Sequence, residues 1–256
     1  MELYKLILKI KNFIIKNINK LKNIISLLLI ASTTLFAQST AHTNFWNKLA
    51  INKPLSNKIN IEVEFQKRYQ EDINHNFAEN KLLSSIRFWI YYKINDKINL
   101  IASPFAYFEN NPIIIKESDV NKILNYENRY AVAIELTQKL NSKIKFQNRT
   151  GIEFRNFINT SPDYFRFREK LSIKYTLTSK ISLNGYDEIL INSNSGEGLH
   201  YFDQNRLGSN ISYNPNKNIK IEIGFIKIEH SQRNPSDILS ENNFVLNTFF
   251  TLPNKN

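Results

Sequence analysis

From Gln38 onward, apolar and polar side chains alternate with a period of two, which is the pattern of strands with one apolar and one polar face. Tyr164-Phe165-Arg166-Phe167-Arg168 and Ile219-Lys220-Ile221-Glu222-Ile223 are clear stretches of it. No helical stripe of convincing length interrupts this pattern, and no apolar run in that part of the chain approaches the ~20 residues of a spanning helix. The expectation is an all-β chain.

A recurring pentapeptide punctuates the strands. Leu55-Ser56-Asn57-Lys58-Ile59, Ile94-Asn95-Asp96-Lys97-Ile98, Leu140-Asn141-Ser142-Lys143-Ile144 and Leu177-Thr178-Ser179-Lys180-Ile181 share one order: aliphatic, two small polar residues, lysine, isoleucine. Tyr213-Asn214-Pro215-Asn216-Lys217-Asn218-Ile219 is a looser fifth copy. Asn, Asp, Ser and Thr bond their own backbone, so three such residues make a compact hairpin loop that sets the two aliphatic residues opposite each other. The flanks stay in phase. Phe165, Phe167, Leu171, Ile173 and Tyr175 share the parity of Leu177, and Ile181, Leu183, Ile189 and Ile191 continue it. A slip of one residue would turn every one of these to the other face.

Longer polar connections at about 70–79, 109–125, 157–163, 192–200 and 231–241 alternate with the tight turns. Strands are expected near 43–54, 58–69, 80–94, 98–108, 126–140, 144–156, 164–177, 181–191, 201–213, 219–230 and 243–252. Short turns on one side and long loops on the other describe a single antiparallel up-and-down transmembrane β-barrel, of about 10–12 strands with periplasmic turns and extracellular loops. Eleven is an awkward number, because single-chain bacterial barrels have even counts. Either the first segment does not complete the wall, or a further strand runs around Pro112-Ile113-Ile114-Ile115. A soluble β-sandwich with a polar outer face is the rival architecture.

Parity assigns the faces. Ile61, Val63 and Phe65, Ile86, Phe88, Ile90 and Tyr92, and Phe244, Leu246, Phe250 and Leu252 point outward. The inward face is charged, and its expected lumen network contains Arg68, Arg149, Glu153, Arg155, Arg166, Arg168, Glu188, Gln204, Arg206 and Glu222. Two readings are open. The charges pair and fill a narrow barrel, or the arginines line a path for an anionic solute. Glu169 and Asp187 break the pattern, with outward parity in apolar strands, so either a β-bulge re-aims them or they line an external site.

Composition adds export. Residues 1–37 carry six lysines before the apolar run Ile24-Ile25-Ser26-Leu27-Leu28-Leu29-Ile30-Ala31 and a small-residue stretch ending at Ala37, the order of a secretory signal peptide, with a retained anchor as the alternative. Residues 38–256 are then the barrel. Removal of residues 1–37, with six Lys and one Glu, takes the net charge from +11 to +6, so the high pI owes much to targeting and points to no nucleic acid. The chain has no cysteine, which excludes disulfides, thiolate metal sites and a cysteine nucleophile. With 12% aromatics and a mean hydropathy of −0.38, it suits a wall that is apolar outside and polar inside.

Signals of catalysis are weak. His42, His75, His200 and His230 lack metal-ligand spacing, and neither a nucleophile elbow nor a phosphate loop occurs. Ser193-Asn194-Ser195-Gly196-Glu197-Gly198 reads as a surface loop. His230 with a serine, or Glu153 with Glu188, would be the catalytic groups of a barrel enzyme acting on envelope lipid or polysaccharide. The leading expectation is noncatalytic, either structural or a narrow solute pore, with a soluble β-rich binding module third.

Several segments together resemble a family. They are Phe45-Trp46 near the expected mature start, the strand from Glu62 to Arg68, Tyr164 to Arg168, Tyr186-Asp187-Glu188-Ile189 and Phe202-Asp203-Gln204-Asn205-Arg206-Leu207. In this order they are similar to domain-of-unknown-function family 2490, whose members are predicted outer-membrane barrels of Bacteroidota. The resemblance implies a location in the cell outer membrane, contact with its lipid and with the barrel assembly machinery, and no catalytic residues or cofactor. The end departs from many such barrels: Phe249-Phe250-Thr251-Leu252 is followed by Pro253-Asn254-Lys255-Asn256.

Overall fold

A computed structural model describes residues 40–158, 162–194, 200–231 and 238–253. The signal peptide expected at 1–37 lies outside the described residues, as do parts of three long connections. Eleven strands form one closed barrel. They are β1 (Thr40–Pro54), β2 (Ile59–Gln70), β3 (Asn80–Lys93), β4 (Ile98–Asn110), β5 (Asn125–Lys139), β6 (Ile144–Ile158), β7 (Tyr164–Thr176), β8 (Ile181–Asn192), β9 (Phe202–Asn216), β10 (Ile219–Ser231) and β11 (Ile238–Thr251).

Strands adjacent in sequence pair antiparallel, as in Asn47↔Lys67 between β1 and β2, and the ring closes through a parallel pair, β1 with β11. That pairing resolves the odd count. An odd number of alternating strands brings its first and last members together pointing the same way. The first segment does complete the wall, contrary to the ten-strand reading. Residues 112–115 are no strand, contrary to the twelve-strand one. Among the described residues no helix is long and apolar enough to cross a membrane, which says nothing about crossing by strands.

The pentapeptides work as their residue types dictate. In each of the four, the first small polar residue accepts backbone N–H bonds from the lysine and isoleucine that follow. Asn141 Oδ1 takes those of Lys143 and Ile144 at 2.8 Å each, and Ser56, Asn95 and Thr178 do the same. The flanking aliphatic residues then bond, with Leu140 N–H donating to Ile144 O at 2.9 Å. The fifth copy differs. β9 runs on to Asn216, the connection shrinks to Lys217-Asn218, and a register shift between Ile219 and Ile221 absorbs the extra residue.

Parity places the side chains as expected. Phe165, Phe167, Leu171, Ile173 and Leu177 stand exposed on the outside, while Glu153, Arg166 and Glu188 are buried within. In β4, proline interrupts the phase: Pro104 cannot donate to the ladder, and the register with β5 shifts between Ser103 and Tyr107. Ile101 and Ser103 are buried before the shift and Ala106 and Phe108 after it. Over the closing seam, Phe77 from the β2–β3 connection packs edge-on against Phe45 of β1 and Phe244 of β11, at 6.2 and 5.9 Å between ring centres.

Candidate functional site: the charged lumen

The inward faces of β3 and β5–β9 build a network around buried carboxylates. Glu153, fully buried at the middle of β6, meets Arg87 at 2.9 Å and Arg166 at 2.5 Å, with Arg168 at 3.6 Å and Arg129 at 3.8 Å. Glu127, equally buried, is paired with Arg129 and held by Arg155 through two bonds of 2.8 and 3.0 Å. Glu188 takes Arg168 at 2.7 Å and Arg206 at 3.6 Å. Asp203 takes Arg166 at 2.7 Å and His230 at 3.6 Å. Glu127, Glu153 and Glu188 thus each face at least two arginines, and each of Arg129, Arg166 and Arg168 bridges two carboxylates, so the groups neutralise one another in a closed mesh.

Six of the ten residues expected in the network fall into one contiguous cluster: Glu153, Arg166, Arg168, Glu188, Arg206 and Gln204. Arg155 joins it through Glu127 and Arg129. Arg149 pairs separately with Glu135 at 2.6 Å. Glu222 sits apart with Lys220, Ser212 and Asn247. Arg68 has no carboxylate in ion-pair range among the described residues. Asp203 was hidden from parity, because a register shift between Leu190 and Ile191 lets it and Gln204 both turn inward.

The opposite side of the lumen is built around Trp46, an inward residue of β1 and almost fully buried. Arg68 of β2 lies over its indole at 3.5 Å and Arg206 of β9 at 5.9 Å. Neutral glutamines steady both guanidinium groups: Arg68 donates to Gln66 Oε1 at 2.9 Å and Arg206 to Gln204 Oε1 at 2.7 Å. Arg68 Nε and Trp46 Nε1 are buried without an acceptor. Tryptophan at an inward position of a polar strand was the available sequence signal.

Two chambers occupy the lumen. One of about 490 Å³ spans the Trp46 side and the arginine network, and one of about 670 Å³ lies toward the tight turns. Both are lined by Lys48, Glu64, Trp89, Arg149, Lys170, Tyr186, Asn210 and Glu222, which form a narrow layer between them. The Tyr186 ring lies where a Cβ on Gly208 would stand, 2.3 Å from its nearest ring atom, so glycine at 208 is what lets the ring lie flat against β9. Lys170 Nζ sits over that ring at 3.6 Å.

At the long-loop end, the connection after β4 folds into the mouth. Gln70 accepts from Ile114 N–H at 2.9 Å and donates to Pro112 O at 2.8 Å, and Ile113 lines the upper chamber. Asp119 anchors this connection from outside the wall, accepting from Ile115 and Lys116 N–H at 3.0 and 2.9 Å and pairing with Lys122 at 2.7 Å.

The residues singled out for catalysis are otherwise engaged. His230 faces Asp203 and Glu241, and Glu153 and Glu188 are saturated by arginines. His42 is buried in β1 beside Gln70 and Glu71, and Glu71 also meets His75 at 3.2 Å. No group of His, Asp and Glu among the described residues is placed to hold a metal ion. Glu169 and Asp187 are not re-aimed by a bulge: β7 and β8 pair without a register shift there. Both remain on the outer wall, Glu169 bonded by Asn148 and Thr150 and Asp187 by Asn205 at 2.6 Å.

The family described as "Protein of unknown function (DUF2490)" matches residues 43–238. No curated protein matches the chain in sequence. Among solved structures, the NanC porin aligns with a TM-score of 0.53 at 11% identity, over 82% of this chain and 97% of that one. The chain is thus similar in fold to a porin. A bacterial polysaccharide outer membrane secretin (TM-score 0.43, 10% identity, 74% of this chain) and an anion-selective porin from Comamonas acidovorans (0.35, 7%, 77%) align more loosely, and the chain spans 63% and 54% of their lengths.

Proposed function

This chain belongs to the DUF2490 family of proteins of unknown function, and from that premise we propose that it is a noncatalytic barrel of the outer membrane whose lumen is a narrow path for a small polar solute. Export by the segment 1–37, insertion by the barrel assembly machinery and a lipid-facing outer wall are parts of the same reading. The observation that carries it is the meeting of two polar chambers at one narrow layer. A purely structural barrel would fill its interior with side chains. Here the paired network occupies one side and leaves open space beside it. The exposed aliphatic and aromatic side chains along the outer wall support the membrane assignment.

Two experiments test this reading. The mature protein should fractionate with outer membranes and need detergent for release; recovery in the soluble periplasmic fraction would overturn the membrane assignment. On intact cells, Asn76→Cys in the β2–β3 connection should react with impermeant thiol reagents, and Ser142→Cys and Ser179→Cys in the tight turns should not. The opposite labelling would invert the orientation.

A further inference from the structure

The cations of the lumen are unequally served. On the network side every carboxylate is shared among arginines, so the ions close on themselves. On the Trp46 side Arg68 has only Gln66 as acceptor and no carboxylate in ion-pair range among the described residues; its Nε lacks an acceptor, as do Arg129 Nε and Arg166 Nε in the network, and Trp46 Nε1 beside it has none. Arg206 stands 3.6 Å from Glu188, whose closer partner is Arg168 at 2.7 Å, and its Nε is satisfied by Gln204. Ten lysines and arginines line the upper chamber with five carboxylates, and Glu127, Glu135 and Glu153 behind the lining pair with six of the arginines, which leaves two cations in excess; seven cations and four carboxylates line the lower chamber. In the lower chamber Lys145, Lys174 and Lys217 have no ion pair among the described residues, and they line the approach from the tight-turn end.

A guanidinium group removed from water without a counter-charge is costly. It is also the best protein partner for a carboxylate, because its planar fork donates two parallel N–H bonds. Glutamine oxygens hold Arg68 and Arg206 in place without neutralising them. Stacking on Trp46 fixes Arg68 and leaves its edge donors in the chamber. A lining of excess positive charge in a low-dielectric wall concentrates anions along the route to this point.

We propose that Arg68 and Arg206, set against Trp46, form a subsite that binds the carboxylate of a small organic acid in the lumen. The subsite names the solute class for the narrow path and rests on that reading. Lys145, Lys174 and Lys217 form the entry track.

The test uses the full-length chain in detergent micelles with gluconate as the probe and sorbitol as its uncharged counterpart. Gluconate should bind saturably by titration calorimetry, and sorbitol should not. Trp46 and Trp89 are the two tryptophans of the chain, so in Trp89→Phe the same titration should change the fluorescence of Trp46. Arg68→Gln and Arg206→Gln should each weaken binding about tenfold or more, the loss of one hydrogen bond to a charged group. Arg68→Lys should retain part of the affinity, and Arg149→Gln should change it little. Absence of saturable gluconate binding, equal binding of sorbitol, or full affinity in Arg68→Gln would overturn the subsite. Bilayer conductance separates the two claims. Gluconate binding to a barrel that passes no current would keep the subsite and remove the pore, whereas a conducting barrel indifferent to gluconate and to Arg68→Gln would do the reverse.

Discussion

The two sides of the lumen are made of the same residue types and behave as opposites. Around Glu153, four arginines converge on one carboxylate and reach on to Glu127, Glu188 and Asp203, so removing any member leaves a buried ion exposed to its neighbours. Around Trp46, Arg68 rests on an indole and one glutamine with no carboxylate in ion-pair range, while Arg206 beside it shares Glu188 with Arg168. Buried charge of the first kind specifies the shape of the barrel, since each carboxylate is held by arginines from neighbouring strands. Buried charge of the second kind is unfinished without an anion. The number of arginines in a lumen therefore says less about function than the number left without a carboxylate.

The sharpest way to break this comparison is at its centre. Glu153→Ala leaves Arg87 without its carboxylate and Arg166 with Asp203 alone, and should cost about 3–5 kcal/mol in urea unfolding of the folded barrel in lipid vesicles. A cost under about 1 kcal/mol, the range of an exposed pair, would mean that water already screens the network. Arg168→Ala comes next. Its partners Glu153 and Glu188 keep other arginines, so the expected loss is about 1–3 kcal/mol, that of hydrogen bonds to charged groups.

The mouth above these two sides should respond to pH through Asp119. Burial alone would push the Asp119 carboxyl up, but the Lys122 ammonium group and the Ile115 and Lys116 N–H groups outweigh that and hold it below its usual range. Its contribution is thus present above the unfolded value of about 3.9 and lost as the pH falls through the lower folded value. Proteolysis of the 111–124 connection should accelerate below about pH 4, and Asp119→Ala should show the fast rate at neutral pH. A pH-independent rate in the unmutated protein would remove Asp119 as the anchor.

The smallest effect belongs to the Trp46 side. Arg68→Gln deletes a half-buried cation that has no carboxylate in ion-pair range, so unfolding should shift by about 1 kcal/mol or less. A loss as large as that of Glu153→Ala would show a hidden partner and erase the difference between the two sides.

Much of the fold was legible in the sequence because its signal is periodic. The four pentapeptides fixed hairpin phase through residues that bond their own backbone, and that phase assigned Phe165, Arg166 and Glu153 to their faces. What escaped parity was whatever breaks it. The shift at Pro104 swaps the inward residues of β4, and the shift opposite Leu190 turns Asp203 into the network, where it completes Arg166. The parallel closure was equally out of reach, since hairpin logic concerns sequential neighbours and β1 meets β11 from the far end of the chain. Parity also says that Arg68 points inward but not which acceptors it meets, so the contrast between paired and unpaired arginines needed coordinates.

The space beside the network is either an open path across the barrel or a closed cavity. The direct measurement is the current through single barrels reconstituted in a planar bilayer under a potassium chloride gradient, with folding checked by the heat-dependent gel mobility of the same sample. A small steady conductance with anion preference, and a weaker preference in Arg68→Gln, is the predicted result. A folded barrel that passes no current would contradict it.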